Sequence, residues 1–91
     1  MKVLIIDDEV SLVDILTRFL SDCGHTVAGC HTAAEGLQRL RENPPEVLLL
    51  DIYLPDQSGI DLLPQVLAAV PDVTVIMMTG TSTERWCSAS N

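Results

Sequence analysis

Glu46-Val47-Leu48-Leu49-Leu50-Asp51, running on into Ile52-Tyr53-Leu54-Pro55-Asp56-Gln57-Ser58-Gly59, decides how this chain folds. Its apolar run lies between Pro44-Pro45 and a loop that contains proline and glycine. Such a run is too short for an independent helix and has the length of a strand buried on both faces. Asp51 is thereby delivered to the carboxyl end of a central parallel strand. In open α/β sheets, ligands bind outside that edge. A carboxylate there can act as a metal ligand, a general base or a nucleophile, and the rest of the chain narrows the choice.

Working outward, Val3-Leu4-Ile5-Ile6 is a second short buried strand, and it ends in Asp7-Asp8-Glu9. Three adjacent acids repel one another unless positive charge sits among them. Leu12, Ile15, Leu16, Phe19, Leu20 and Cys23 recur at helical spacing and predict an amphipathic helix over roughly 10–23, stopped by Gly24. His25 to Cys30 reads as a strand of weaker apolar character, suited to a sheet edge. Thr32 and Glu35 form a capping box for a second helix, with Ala33, Leu37 and Leu40 on its inner face. Gly36 inside that helix costs up to ~1 kcal/mol relative to Ala, so the helix leans on tertiary packing. Asn43-Pro44-Pro45 ends it.

Beyond the Asp51 loop, Ile60, Leu63, Val66, Leu67 and Val70 form a third helical stripe, with Pro64 in its early turns and Pro71-Asp72 at its close. Val73 to Met78 is a fourth strand, ending in Thr79-Gly80. Thr81 and Glu84 can open a further helix, but Cys87 to Asn91 reads as a frayed end. The order β-α-β-α-β-α-β predicts an α/β domain with a parallel sheet and right-handed crossovers.

Composition bounds the function. At 91 residues the chain is one domain at most, and it buries only ~60–65% of its unfolded surface. Yet 47% of its residues are apolar and its mean hydropathy is +0.31, rich for a small monomer, which hints that apolar surface meets a partner. A net charge of −8, with Lys2, Arg18, Arg39, Arg41 and Arg85 scattered, argues against DNA, RNA or an anionic membrane as a direct partner. Cys23, Cys30 and Cys87 lack C-x-x-C spacing and read as reduced thiols. The N-terminal apolar run ends in acids after six residues and does not read as a signal peptide, and no apolar run approaches the ~20 residues of a membrane span, so a soluble cytoplasmic protein is expected.

Asp7 and Asp8 end strand one, Asp51 ends strand three and Thr79 ends strand four, so parallel pairing brings three carboxylates and a hydroxyl to one edge. That combination suits a hard cation such as Mg²⁺, held by a few carboxylates, with an acceptor beside it.

Here the chain resembles the receiver domain of two-component response regulators. The matching pieces are Leu4-Ile5-Ile6-Asp7-Asp8-Glu9, Val47 to Pro55 with Ser58-Gly59, and Val75-Ile76-Met77-Met78-Thr79-Gly80. They span residues 1 to about 80. The resemblance implies a flavodoxin-like doubly wound sheet of order 2-1-3-4. It implies a signalling module rather than an enzyme. Asp51 would be the phosphoacceptor, a nucleophile that takes a phosphoryl group from a phosphohistidine on a sensor histidine kinase or phosphotransfer protein. Asp8 with Asp7 would anchor Mg²⁺, the Tyr53 backbone carbonyl would complete the ligands, and Thr79 would be the switch hydroxyl. Pro55 and Gly59 would shape the wall behind Asp51, and Glu9 would tune the metal site. His31 is expected as a solvent-facing loop residue. Trp86 is expected either as part of an exposed tail or as a contact with a second chain.

The family pattern continues with a fourth helix, a fifth strand carrying an active-site Lys, and a fifth helix; here no Lys follows Lys2. The expectation is an incomplete receiver domain over residues 1–80 and an irregular tail or helix stump over 81–91. Val73 to Met78 would then be a flat, apolar edge strand, a template for another chain. The stripe through Leu12, Leu16 and Phe19 would also lose cover. A homodimer through the strand-four edge or through exchanged elements is therefore expected. Two other readings compete with the phosphoacceptor. One is a protein interaction module of receiver shape that phosphorylation does not switch. The other is an aspartyl-phosphate hydrolase of the haloacid-dehalogenase type, which expects D-x-D where this chain has Asp51-Ile52-Tyr53. Nucleotide-binding and serine-hydrolase motifs are absent from the sequence.

Overall fold

The computed structural model describes residues 1–78, and along them strands and helices alternate as the apolar runs predict. The strands are β1 (Lys2–Ile6), β2 (Thr26–Cys30), β3 (Val47–Asp51) and β4 (Thr74–Met78); the helices are α1 (Val10–Asp22), α2 (Ala33–Glu42) and α3 (Gly59–Ala69). Among the described residues the sheet is parallel with order β2-β1-β3-β4, as expected, so β1 and β3 are central and β2 is an edge.

Alternation of side chains along a strand divides each apolar run between two cores. Leu4, Ile6, Leu48 and Leu50 pack with Leu40 of α2 and with Leu62 and Val66 of α3. Val3 and Ile5 turn the other way, onto Val13, Leu16 and Leu20 of α1. Cover is unequal: Leu48 and Leu50 are fully buried, whereas Val47 and Leu49 on the α1 side are half-buried. Each fully buried side chain of this size stabilises by roughly 1.5–3 kcal/mol, enough for strands this short to hold their register.

Chain ends of the helices follow local chemistry. After α1, Gly24 adopts φ +96°, and its N–H donates to the Ser21 carbonyl at 3.0 Å. At the start of α2, Thr32 Oγ1 accepts from the Glu35 N–H at 3.2 Å. The reciprocal half of the capping box is displaced by one residue, since Glu35 Oε1 accepts from the His31 N–H at 3.2 Å. A Cβ on Gly36 would collide with Cδ1 of Ile6, so the residue that weakens α2 in isolation lets it lie against β1.

Two helical stripes are rotated from their expected positions. On α1, Ile15 and Phe19 face outward, 64% and 62% exposed, and Cys23 is exposed; Val13, outside the expected stripe, is buried. On α3, Leu62 and Val66 are fully buried while Ile60 and Leu67 are exposed, so the inner face runs through Leu62 rather than Ile60. Residues four apart share a helix face, but α3 is apolar nearly all round, and contact with the sheet settles its rotation. The helix continues through exposed Pro64.

Thr79, the proposed start of a helix at Thr81, Trp86, Cys87 and the whole 81–91 tail lie outside the described residues. No helix among the described residues is long and apolar enough to cross a membrane.

Candidate metal and acceptor site

Register builds the site. Ile6 pairs with Leu50 across β1 and β3, so Asp7 and Asp51 stand side by side at the carboxyl edge. One carboxylate oxygen from each of Asp7, Asp8 and Asp51 lies within 4.8 Å of the others. Asp7 is 1% exposed and Asp51 3%, whereas Asp8 stands at the solvent rim. The three acids expected together from the sequence are therefore together. Thr79 follows Met78, the β4 residue paired with Asp51, and lies outside the described residues.

Hydrogen bonds hold the Asp7 and Asp51 carboxylates and, among the described residues, leave one buried oxygen unsatisfied. Asp7 Oδ1 accepts from the Glu9 N–H at 2.9 Å, and the Asp7 N–H donates to the Cys30 carbonyl at 3.0 Å. Asp7 Oδ2 is buried and has no hydrogen-bond partner among the described residues. Burying a carboxylate oxygen without a partner is costly, and carboxylates this close also repel. A hard divalent cation would relieve both penalties, and this oxygen-only donor set fits Mg²⁺ or Ca²⁺.

Behind Asp51 the 52–58 loop is held tightly. The Tyr53 N–H donates to Asp51 Oδ1 at 3.1 Å, which sets the rotation of that carboxylate. Tyr53 and Ser58 form an antiparallel bridge, and the Gly59 N–H donates to the Ile52 carbonyl at 2.7 Å. A Cβ on Gly59 would collide with the Asp51 carbonyl oxygen, so the wall behind the site requires glycine there. Leu54 packs onto the core, while the Tyr53 ring is 63% exposed. An open groove of about 510 Å³ runs between Asp8 and this loop.

His31 departs from its expected solvent-facing role. It is half-buried, with Nδ1 3.1 Å from the Asp7 carbonyl oxygen. A carbonyl only accepts, which places the proton on Nδ1. Glu9 is exposed and contributes its backbone N–H, with no side-chain cap to α1. Burial first, and the Glu35 carboxylate second, push the Cys30 thiol up to about 11 against an opposing pull from Arg39. A thiol held protonated in this way is unreactive.

Asp56 was not singled out by its sequence. Its Oδ1 accepts from the Ala33 N–H at 2.9 Å and its Oδ2 from the Ala34 N–H at 3.0 Å. Those bonds, Ala33 first and Ala34 next, hold its carboxyl below the ordinary 3.8. Next to Pro55 it reads as a turn residue, and no local pattern points to a helix more than twenty residues back in the chain.

The profile of the response regulator receiver domain matches residues 3–89. Over 86 residues the chain is 40% identical to protein-glutamate methylesterase/protein-glutamine glutaminase 2 of Caulobacter vibrioides, covering 93% of this chain and 24% of that protein. Over 61 residues it is 44% identical to transcriptional regulatory protein KdpE of Mycobacterium tuberculosis, covering 67% of this chain and 27% of that one. Among solved structures, a CheY-like receiver domain protein from Methanospirillum hungatei superposes with TM-score 0.85 at 32% identity, covering 91% of this chain and 66% of that one. A response regulator from Burkholderia pseudomallei, solved with a phosphorylated aspartic acid, a calcium ion and citrate, gives TM-score 0.84 at 26% identity and covers 91% and 49%. The chain thus spans about a quarter of the curated relatives named here.

Proposed function

This chain belongs to the response regulator receiver domain family of two-component signalling, and on that premise we propose that Asp51 is its phosphoacceptor. The observation that carries the proposal is the convergence of Asp7, Asp8 and Asp51, of which Asp7 keeps a buried carboxylate oxygen without a partner among the described residues. Asp8 and Asp51, with Asp7 and the Tyr53 backbone carbonyl, would hold Mg²⁺. When bound, the cation supplies the charge neutralisation that lets an anionic donor approach an anionic acceptor.

The chain's own residues do the rest. The bond from the Tyr53 N–H orients the Asp51 carboxylate. An Asp51 oxygen attacks the phosphorus of a phosphohistidine on a sensor histidine kinase or phosphotransfer protein. The O–P bond forms as the P–N bond breaks, and the imidazole nitrogen leaves with the electron pair. Thr79 supplies a hydroxyl donor to the phosphoryl oxygens. This chemistry needs positioning and electrostatics more than covalent help from the protein. The phosphorylated aspartate and calcium ion of the Burkholderia regulator support the same roles in this chain. On this reading the domain acts by binding rather than by turnover, and it works in the cytoplasm, where a sensor kinase would reach it.

Incubation with Mg²⁺ and a small-molecule phosphodonor, followed by intact mass, tests the reading. The native chain is expected to gain one phosphoryl group only when Mg²⁺ is present, and Asp51→Asn to gain none. No gain in a folded, Mg²⁺-binding sample would replace the phosphoacceptor with a phosphorylation-independent interaction module.

We also infer a homodimer, through the β4 edge or exchanged elements. Among the described residues β4 is an edge strand with Ile76 43% exposed, and the α1 side of the sheet is the thinly covered one. Light scattering at high concentration reads this directly; a monodisperse monomer overturns it.

A further inference from the structure

We infer that Asp56 is a positioning residue for the phosphoacceptor site, fastening the 52–58 loop across to the N-terminus of α2. The inference rests on the reading of Asp7, Asp8, Asp51 and Tyr53 given above. The loop is anchored at its base by Asp51 Oδ1 to the Tyr53 N–H and by the Ile52 carbonyl to the Gly59 N–H. Its outer arm projects into solvent at Tyr53, Pro55 and Asp56. There the Asp56 carboxylate spans to another element, both oxygens taking backbone N–H groups of the first turn of α2.

Accounting for α2's first amides shows why that grip is specific. An α-helix leaves its leading N–H groups without intrahelical acceptors. Thr32 Oγ1 satisfies Glu35, the Thr32 carbonyl satisfies Gly36, and Asp56 satisfies Ala33 and Ala34. Asp56 is therefore part of α2's cap, supplied from 22 and 23 residues away. Charge-assisted bonds to two amides at the positive end of a helix are the strong kind. The same turn reaches the metal site by another route, because His31 Nδ1 donates to the Asp7 carbonyl. Asp56 closes a chain of contacts from β3 through the loop and α2 back to β1, the two strands that carry Asp51 and Asp7. Cutting it frees the segment that presents the Tyr53 carbonyl.

Mg²⁺ binding measured by isothermal titration calorimetry on the full chain tests this, with Mg²⁺ alone as the probe. Asp56→Ala is expected to weaken Mg²⁺ by about 5-fold or more, and Asp56→Asn, which keeps one acceptor, to fall between. Thr32→Ala removes the local cap of the same helix and serves as the structural control. It is expected to lower the melting temperature comparably while leaving Mg²⁺ affinity within about 2-fold. Wild-type affinity in folded Asp56→Ala, or an equal loss in Thr32→Ala, overturns the positioning role alone. A native chain that binds no Mg²⁺ overturns the reading of the site and this inference together.

Discussion

Two carboxylates near the carboxyl edge of the sheet, Asp7 at the end of β1 and Asp56 in the loop after β3, have opposite circumstances. At the strand ends, Asp51 and its neighbour Asp7 are buried, and one Asp7 oxygen lacks a partner among the described residues. On the loop, Asp56 is exposed, yet both of its oxygens are satisfied. Burial without satisfaction costs stability and marks a place prepared for a ligand; exposure with satisfaction marks a fastening. Charge alone does not tell these apart, and the direction of the available donors does.

Asp7→Asn breaks the comparison most severely. Replacing one of three crowded carboxylates is expected to raise the melting temperature without metal and to abolish most of the stabilisation by Mg²⁺. For the native chain that stabilisation is about 2.7 kcal/mol at a hundred times Kd. Thermal melts with and without Mg²⁺ read both signs, and an unchanged metal increment would show that Asp7 Oδ2 takes no part. Gly59→Ala probes the wall behind Asp51. Its new methyl group meets the Asp51 carbonyl, so a loss of about 1–3 kcal/mol in denaturant unfolding is expected. A change near zero would show that the wall yields.

The smallest effect belongs to Asp56 and depends on pH. Its folded pKa lies below 3.8, so the stability it contributes is complete above that value and is lost as pH falls through the lowered folded one. The difference in melting temperature between native chain and Asp56→Ala is expected to be constant from neutral pH to about 5 and to narrow below 4. A difference that persists at the acid end would assign the effect to packing.

The same contrast explains what the sequence shows of itself. Asp7, Asp8 and Asp51 are legible because each ends a short apolar run, and run length with parallel pairing fixes where a strand's last side chain goes. Strand order is legible through the same motifs. The rotations of α1 and α3 are not, since Ile15, Phe19, Ile60 and Leu67 are as apolar as the residues that are buried. Asp56 is hidden for another reason: its partners are backbone amides of a distant helix, and amides carry no sequence signal. The displaced half of the α2 capping box shows the same limit at short range, because Glu35 chose the His31 amide over that of its cap residue.

The seat of α2 on β1 has a consequence for how such a sequence drifts. Gly36 and Ile6 share one volume, and Ile6 is bonded directly to Asp7. A larger residue at 36 has to displace the Ile6 side chain, lift the helix or press on the strand just before the metal-binding acid. Residue 6 therefore has to give up a carbon before residue 36 gains one. Changes made in that order are expected to leave the acidic site in place, whereas enlargement at 36 alone is expected to press on it.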